Sequence, residues 1–218
     1  MNTIAKIVII LGDSGSGKTA SLRNLPESSA VVMSATGKEL SFVNKNKLPL
    51  AKVGYAEILK TIPVVKQPVV IIDDANYLMT FENMTRSSEV GYAKFTDMAI
   101  HFFEVFDAIS KKAGEQIFYI LAHSDVNDNT KRREMKTVGK MLSEKIVLEG
   151  LTNTVLESTY DDLDGYTFTT QRSDASSAAK SPMGMFEATK VPNDLFEIDK
   201  IARKFYGFAP ITVKKETK

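Results

Sequence analysis

Residues 12–19, GDSGSGKT, set three glycines, a lysine and a threonine in the pattern G-x-x-x-x-G-K-[ST], directly after the apolar run AKIVIIL (5–11). A β-branched run that ends in glycine reads as a strand buried on both faces. TASLRNLP (19–26) then reads as a short helix, with Leu22 and Leu25 facing inward and Pro26 closing it. Between strand and helix, Gly12, Gly15 and Gly17 let the backbone wrap an anion with its N–H groups presented, and the helix N-terminus adds partial positive charge. The stretch Gly12, Asp13, Ser14, Gly15, Ser16, Gly17, Lys18, Thr19 and Ala20 is therefore expected to cradle phosphates. Lys18 should reach the β- and γ-phosphates of a nucleoside triphosphate, and the Thr19 hydroxyl should bind Mg²⁺.

The rest of the chain sets a scaffold for that loop. AVVMSAT (30–36), VVIIDD (69–74) and QIFYILAHS (116–124) are further strand candidates, and a short helix is expected around 55–61. Residues 92–114 carry Phe95, Met98, Ala99, Phe102, Phe103, Phe106 and Ile109 at helical spacing, which marks a core-facing helix rather than a base-stacking platform. Residues 126–140 read as a polar, basic loop. KIVLEG, TNTVLES and GYTFTTQ (145–171) read as short strands of an antiparallel meander turned at DDLDG. A flexible stretch is expected over 173–184. A helix follows over 193–207, capped by Asn193 or Asp194 and stopped by Gly207, and then a frayed VKKETK tail. Strands alternating with helices over the first 125 or so residues predict an α/β domain with a mainly parallel sheet, extended at one edge by antiparallel strands.

Composition narrows the chemistry. The chain has no cysteine, which removes disulfides, zinc–thiolate sites and cysteine nucleophiles. A formal net charge of +1 neither favours nor excludes nucleic acid, because only a local basic patch would matter. MNTIAKIVIIL is too short an apolar run for a secretory signal or a membrane span, so a cytoplasmic protein without membrane contact is expected.

The candidate reacting groups lie at strand ends. In VVIIDD, Asp73 is expected to hold the metal, and Asp74 either to polarise the attacking water or to complete the metal's outer shell. Glu39, after the second strand, is either a catalytic base or a solvated residue. His123, at the tip of FYILAH, is either a γ-phosphate sensor or a structural histidine. Lys131, Arg132, Arg133, Lys136 and Lys140 form a basic run against one acid, Glu134, and offer contacts to a nucleic-acid backbone or a solvated loop. Lys180, in SSAAKSPMGMF, is either a surface lysine or a residue acting on a neighbouring subunit's γ-phosphate.

Taken together, GDSGSGKTASLRNL, VVIIDDANYLM, GYAKFTDMA, KTVGKML with LEGL, and AAKSPMGMF with NDL resemble the phage-encoded P-loop ATP-binding proteins. These are a RecA-like group associated with single-strand annealing and homologous recombination. The likeness runs over roughly residues 4–206, and DDANYLM, KTVGKM and AKSPMGMF are its most selective parts. The resemblance implies a single RecA-like core over residues 1–210 that binds ATP and Mg²⁺ and acts on single-stranded DNA in an infected bacterial host. It also implies homo-oligomeric rings or filaments, with a phage or host single-strand-binding protein as a further partner. Lys180 is lifted as the trans-acting residue, and Lys136 and Lys140 as DNA- or interface-facing. Asp74 stands where many such ATPases carry glutamate, which implies slow hydrolysis; stimulation by DNA is a separate expectation of the resemblance. Two other classes stay open on the residues alone: a nucleotide-gated interaction module and a small-molecule P-loop kinase.

Overall fold

The computed structural model describes residues 3–212, with the side chains of 143 and 144 left aside. Its centre is a mixed α/β sheet. Six strands run parallel: β1 (Lys6–Gly12), β2 (Ala30–Ser34), β3 (Leu50–Lys52), β4 (Val69–Asp73), β5 (Ile117–Val126) and β7 (Thr154–Asp161). Two antiparallel strands, β8 (Gly165–Thr169) and β9 (Lys190–Pro192), extend the edge beyond β7. The order is β3-β2-β4-β5-β1-β7-β8-β9, and the short β6 (Arg133–Met135) pairs with the far end of β5.

The alternation of side chains along these strands makes two core layers. On one face Ile9 and Leu11 of β1, Val70 and Ile72 of β4, and Phe118, Ile120 and Ala122 of β5 are covered by α1 (Tyr55–Thr61), α2 (Asn76–Thr85) and α3 (Ala93–Lys111). On the other face Val8, Ile10, Val69, Ile71, Ile117, Tyr119 and Leu121 meet Leu22, Leu25 and α4 (Leu195–Tyr206). Strands with apolar residues on both faces need cover on both, and this explains why β1, β4 and β5 read as continuous apolar runs. α3 buries Met98, Ala99, Phe102, Phe106 and Ile109 as its spacing predicts, and Val105 besides, while Phe95 and Phe103 are half-buried.

Several local expectations change. The turn after the phosphate loop is a 3₁₀ helix over Thr19–Asn24, shorter than the expected 19–26, because Pro26 forces Leu25 into extended backbone. KIVLEG is not a strand. Wide helical turns cover Met141–Ile146 and a 3₁₀ turn covers Leu148–Leu151, burying Leu142 and Leu148. A short apolar run cannot be told from a buried helical segment by periodicity alone, and here the burial of Leu142 and Leu148 is met by helical turns.

The basic segment 126–140 is not wholly loop, since β6 pairs Ser124 with Met135 and Val126 with Arg133. The small-residue stretch 173–184 is tied down. Asp174 Oδ1 accepts the Ser176 and Ser177 amides, and Lys180 exchanges backbone hydrogen bonds with Val155 at 2.9 and 2.8 Å. β3, α2 and β9 go unread in the sequence. The expected frayed tail, 213–218, lies outside the described residues.

α4 starts with Asp194, whose side chain accepts from the Phe196 amide, and stops at Gly207 in left-handed backbone. It is anchored by a buried network. Arg203 Nε donates to Asp199 Oδ2 at 2.6 Å, Tyr119 Oη donates to Asp199 Oδ1 at 3.0 Å, and the Arg203 guanidinium also donates to the carbonyls of Pro68 and Glu115. Replacing Arg203 by Met strands a fully buried carboxylate, and a loss of about 3–5 kcal/mol in urea unfolding is expected. A loss under about 1 kcal/mol would show that the pair does not anchor the helix.

Candidate phosphate and metal site

The register of the parallel strands gathers the motif residues at one end of the sheet. Gly12 stands opposite His123, and Ser34 opposite Asp73. In an open α/β sheet this carboxyl edge is where ligands bind. A cleft of about 310 Å³ opens there, lined by Ser14, Gly15, Gly17 to Ala20, Lys38, Glu39, Ser41, Asp73, Asp74, His123 and Tyr166.

The glycine-rich loop of residues 12–19, the candidate phosphate loop, rests against β7 and the approach to α4. A Cβ on Gly12 would lie 2.5 Å from both the Ser158 carbonyl oxygen and Ser16 Oγ, so only glycine permits this close approach. Gly17 has φ +95°, and a Cβ there would lie 2.6 Å from the Tyr166 ring. Ser158 Oγ donates to the Ser16 carbonyl at 2.7 Å and accepts from Asn193 Nδ2 at 3.1 Å. On the other side Ser124 Oγ donates to Asp13 Oδ1 at 3.0 Å. Lys18 is buried, and its ammonium donates to the carbonyls of Gly12 and Asp13 at 2.7 and 2.8 Å. Burial pulls its pKa down, opposed by the carboxylates of Asp74, Asp73 and Asp13.

The two aspartates differ in setting. Asp73 is only 5% exposed, and both of its oxygens lie within reach of Thr19 Oγ1, at 3.2 and 3.1 Å. Burial, then the neighbouring Asp74, push its pKa up to about 6, against the opposing hydrogen bonds from Thr19 and the Asp74 amide. Asp74 turns out of the strand with φ +56°, a left-handed conformation that aspartate tolerates better than most residues. That turn aims its carboxylate at three groups. Thr36 Oγ1 donates to Oδ2 at 3.0 Å, Lys38 Nζ stands 3.9 Å from Oδ2, and His123 Nε2 stands 3.6 Å from Oδ1. Burial and then Lys18 lower the His123 pKa, against the pull of Asp74, so the imidazole is neutral at pH 7. Its backbone amide donates to Asn76 Oδ1, and the Tyr77 ring meets the imidazole edge-on at 5.9 Å.

Among the described residues no group of three or more His, Cys, Asp or Glu forms a metal cluster. The Thr19 hydroxyl and the Asp73 carboxylate are nevertheless two hard oxygen donors already within hydrogen-bond distance of each other. Such a pair fits Mg²⁺, which commonly takes one or two protein oxygens and fills its octahedron with phosphate and water.

The structure therefore brings together the loop, Asp73, Asp74 and His123. Glu39 lines the cleft but is exposed, and it is Thr36, not Glu39, that contacts Asp74. Lys180 lies outside the cleft, on a separate depression of about 410 Å³ shared with Arg132, Arg133, Arg172, Glu134 and Glu149. Burial lowers its pKa, with Glu149 opposing. The basic run is split: Lys140 lines a different depression, with Asp125 and Asp128, while Lys131 and Lys136 are exposed. His101 sits well away on α3, 2.9 Å from Glu82. Thr36, Lys38, Asn76 and Tyr166 were not read as site residues, because it is the packing of β2, α2 and β8 around the cleft, rather than any local spacing, that brings them in.

No protein-family model and no curated protein matches this chain. Among the described residues no helix is long and apolar enough to cross a membrane.

The raised Asp73 pKa predicts a signed effect on stability. The folded state holds the Asp73 proton more tightly than the unfolded chain does. Stability contributed by the protonated form is full below about pH 4 and is lost as pH rises to about 6. In chelator without nucleotide, Asp73→Asn is expected to be more stable than the wild type at pH 8, by on the order of 3 kcal/mol. The advantage should shrink to nothing near pH 4. Urea unfolding at the two pH values checks this, and an equal difference at both would refute it.

Proposed function

We propose that the chain binds ATP with Mg²⁺ in this cleft and hydrolyses it slowly, as a RecA-like P-loop ATPase acting on single-stranded DNA in phage recombination or replication. One observation carries the reading. Lys18, Thr19, Asp73, Asp74 and His123, drawn from three separate strand ends, converge on one cleft at the ligand-binding edge of the sheet. The interposition of β5 between β1 and β4 supports the RecA-like assignment, because it sets His123 between the phosphate loop and the carboxylates.

Each residue has a role that follows from its setting. The loop amides and the Lys18 ammonium, exchanging its carbonyl partners for phosphate oxygens, bind the β- and γ-phosphates. Thr19 and Asp73 would hold Mg²⁺, which when bound draws charge from the phosphate oxygens. Asp74 orients the attacking water and accepts its proton. Thr36 fixes Oδ2 of that carboxylate and leaves Oδ1 facing His123. Neutral His123, protonated at Nε2, donates to Asp74 or to a γ-phosphate oxygen without adding a charge.

The link to DNA is supported by continuity. The Lys136 amide donates to the His123 carbonyl, so the returning arm of the basic hairpin is tied to β5 at His123. Arg132, Arg133, Arg172 and Lys180 share one depression, a setting that suits a phosphate backbone. In a ring or filament, Lys180 is available to a neighbour's nucleotide, since it does not reach its own cleft.

ATP turnover measured with and without single-stranded DNA tests the reading. Lys18→Ala should abolish ATP binding, and Asp74→Asn should lower kcat by about 10²–10⁴ while sparing ATP affinity. The double variant Arg132→Ala/Arg133→Ala should reduce the slope of log affinity for DNA against log salt by about 1.4. Unchanged turnover in Asp74→Asn sinks its assignment as base, and absence of DNA binding with ATP present sinks the coupling.

A further inference from the structure

We infer that Tyr166, braced by Tyr160, is the platform on which the base of the bound nucleoside triphosphate stacks. The inference rests on the phosphate-loop reading above and extends it to the other end of the nucleotide.

Sheet order supplies the direction. β5 and β4, with the metal and water-orienting groups, lie on one side of β1; β7 and β8 lie on the other. A triphosphate with its reacting end at Thr19, Asp73 and Asp74 therefore leaves the loop on the β8 side with its sugar and base. Tyr166 of β8 stands there. Its ring lies against the loop at Gly17 and forms that wall of the cleft.

The exposure of the rings is what a core or hairpin role leaves unexplained. Tyr166, which lines the charged cleft, is 48% exposed, and its cross-strand partner Tyr160 is 56% exposed, although both rings are large apolar surfaces. Their centroids are 4.7 Å apart, so Tyr160 holds the Tyr166 ring in place from behind. The hairpin that carries them is pinned at its turn, where Lys190 Nζ bridges Asp161 Oδ2 and Asp164 Oδ2 at 2.9 and 2.5 Å. A half-exposed, pre-positioned ring can accept a base without a large ordering cost. Stacking reads a flat π-face rather than a hydrogen-bonding edge, so the ligand class is a nucleoside triphosphate without strong choice of base.

Calorimetric titration of the full chain with Mg²⁺ and either ATP or inorganic triphosphate separates the possibilities. Wild type should bind ATP more tightly than triphosphate. Tyr166→Leu should weaken ATP by about 5- to 150-fold and leave triphosphate unchanged, and Tyr166→Phe should restore the lost ATP affinity. Equal loss of both ligands, with a lowered melting temperature, would mean that the ring only braces the loop, and would overturn the inference. So would unchanged ATP affinity with weakened binding of single-stranded DNA. If the wild type binds neither ligand, the phosphate-loop reading itself fails; if it binds both equally, that reading survives and the platform does not.

Discussion

A carboxylate buried at the end of an apolar strand is the costly feature around which this molecule is organised. Asp73 is enclosed beside a second acid, and burial and that neighbour together push its pKa up. Thr19 and Lys18 oppose part of that rise, one by a hydroxyl donor and the other by charge at a distance. Even so, burial beside Asp74 leaves the Asp73 carboxyl raised to about 6.

That arrangement needs both layers of the fold. The apolar faces of β1, β4 and β5 must be covered by α1, α2 and α3 on one side and by α4 and the 3₁₀ turn on the other. Only then are the strand ends fixed closely enough to hold Asp73 against Thr19. The Asp199–Arg203–Tyr119 network anchors α4 to the sheet far from the cleft, and α4 in turn begins next to Asn193, which supports Ser158 under the phosphate loop. The loop's geometry thus depends on packing at both ends of the sheet.

The sequence was most legible where chemistry and local geometry coincide. VVIIDD gave both a buried strand and its two acids, because an apolar run broken by charge has one good reading at a sheet end. Residues 145–150 misled because their apolar pattern suits a strand as well as a helical turn, and the structure buries Leu142 and Leu148 on helical turns. Glu39 was a reasonable base on spacing. Thr36, three residues earlier, is the one that touches Asp74, since the strand ends at Ser34 and the chain turns away before Glu39. Tyr166 carried no local sign at all.

By itself the sequence determined the glycine-rich turn after β1, the two carboxylates at the end of β4 and most of the main helices, because glycine freedom, charge at a strand end and helical periodicity act over a few residues. Only the tertiary structure decided which strands lie beside β1. That order brings His123 and Thr36 to Asp74 and Tyr166 to Gly17. Pairing between strands distant in the chain is set by how two apolar faces can be covered at once, and no local pattern of residues encodes it.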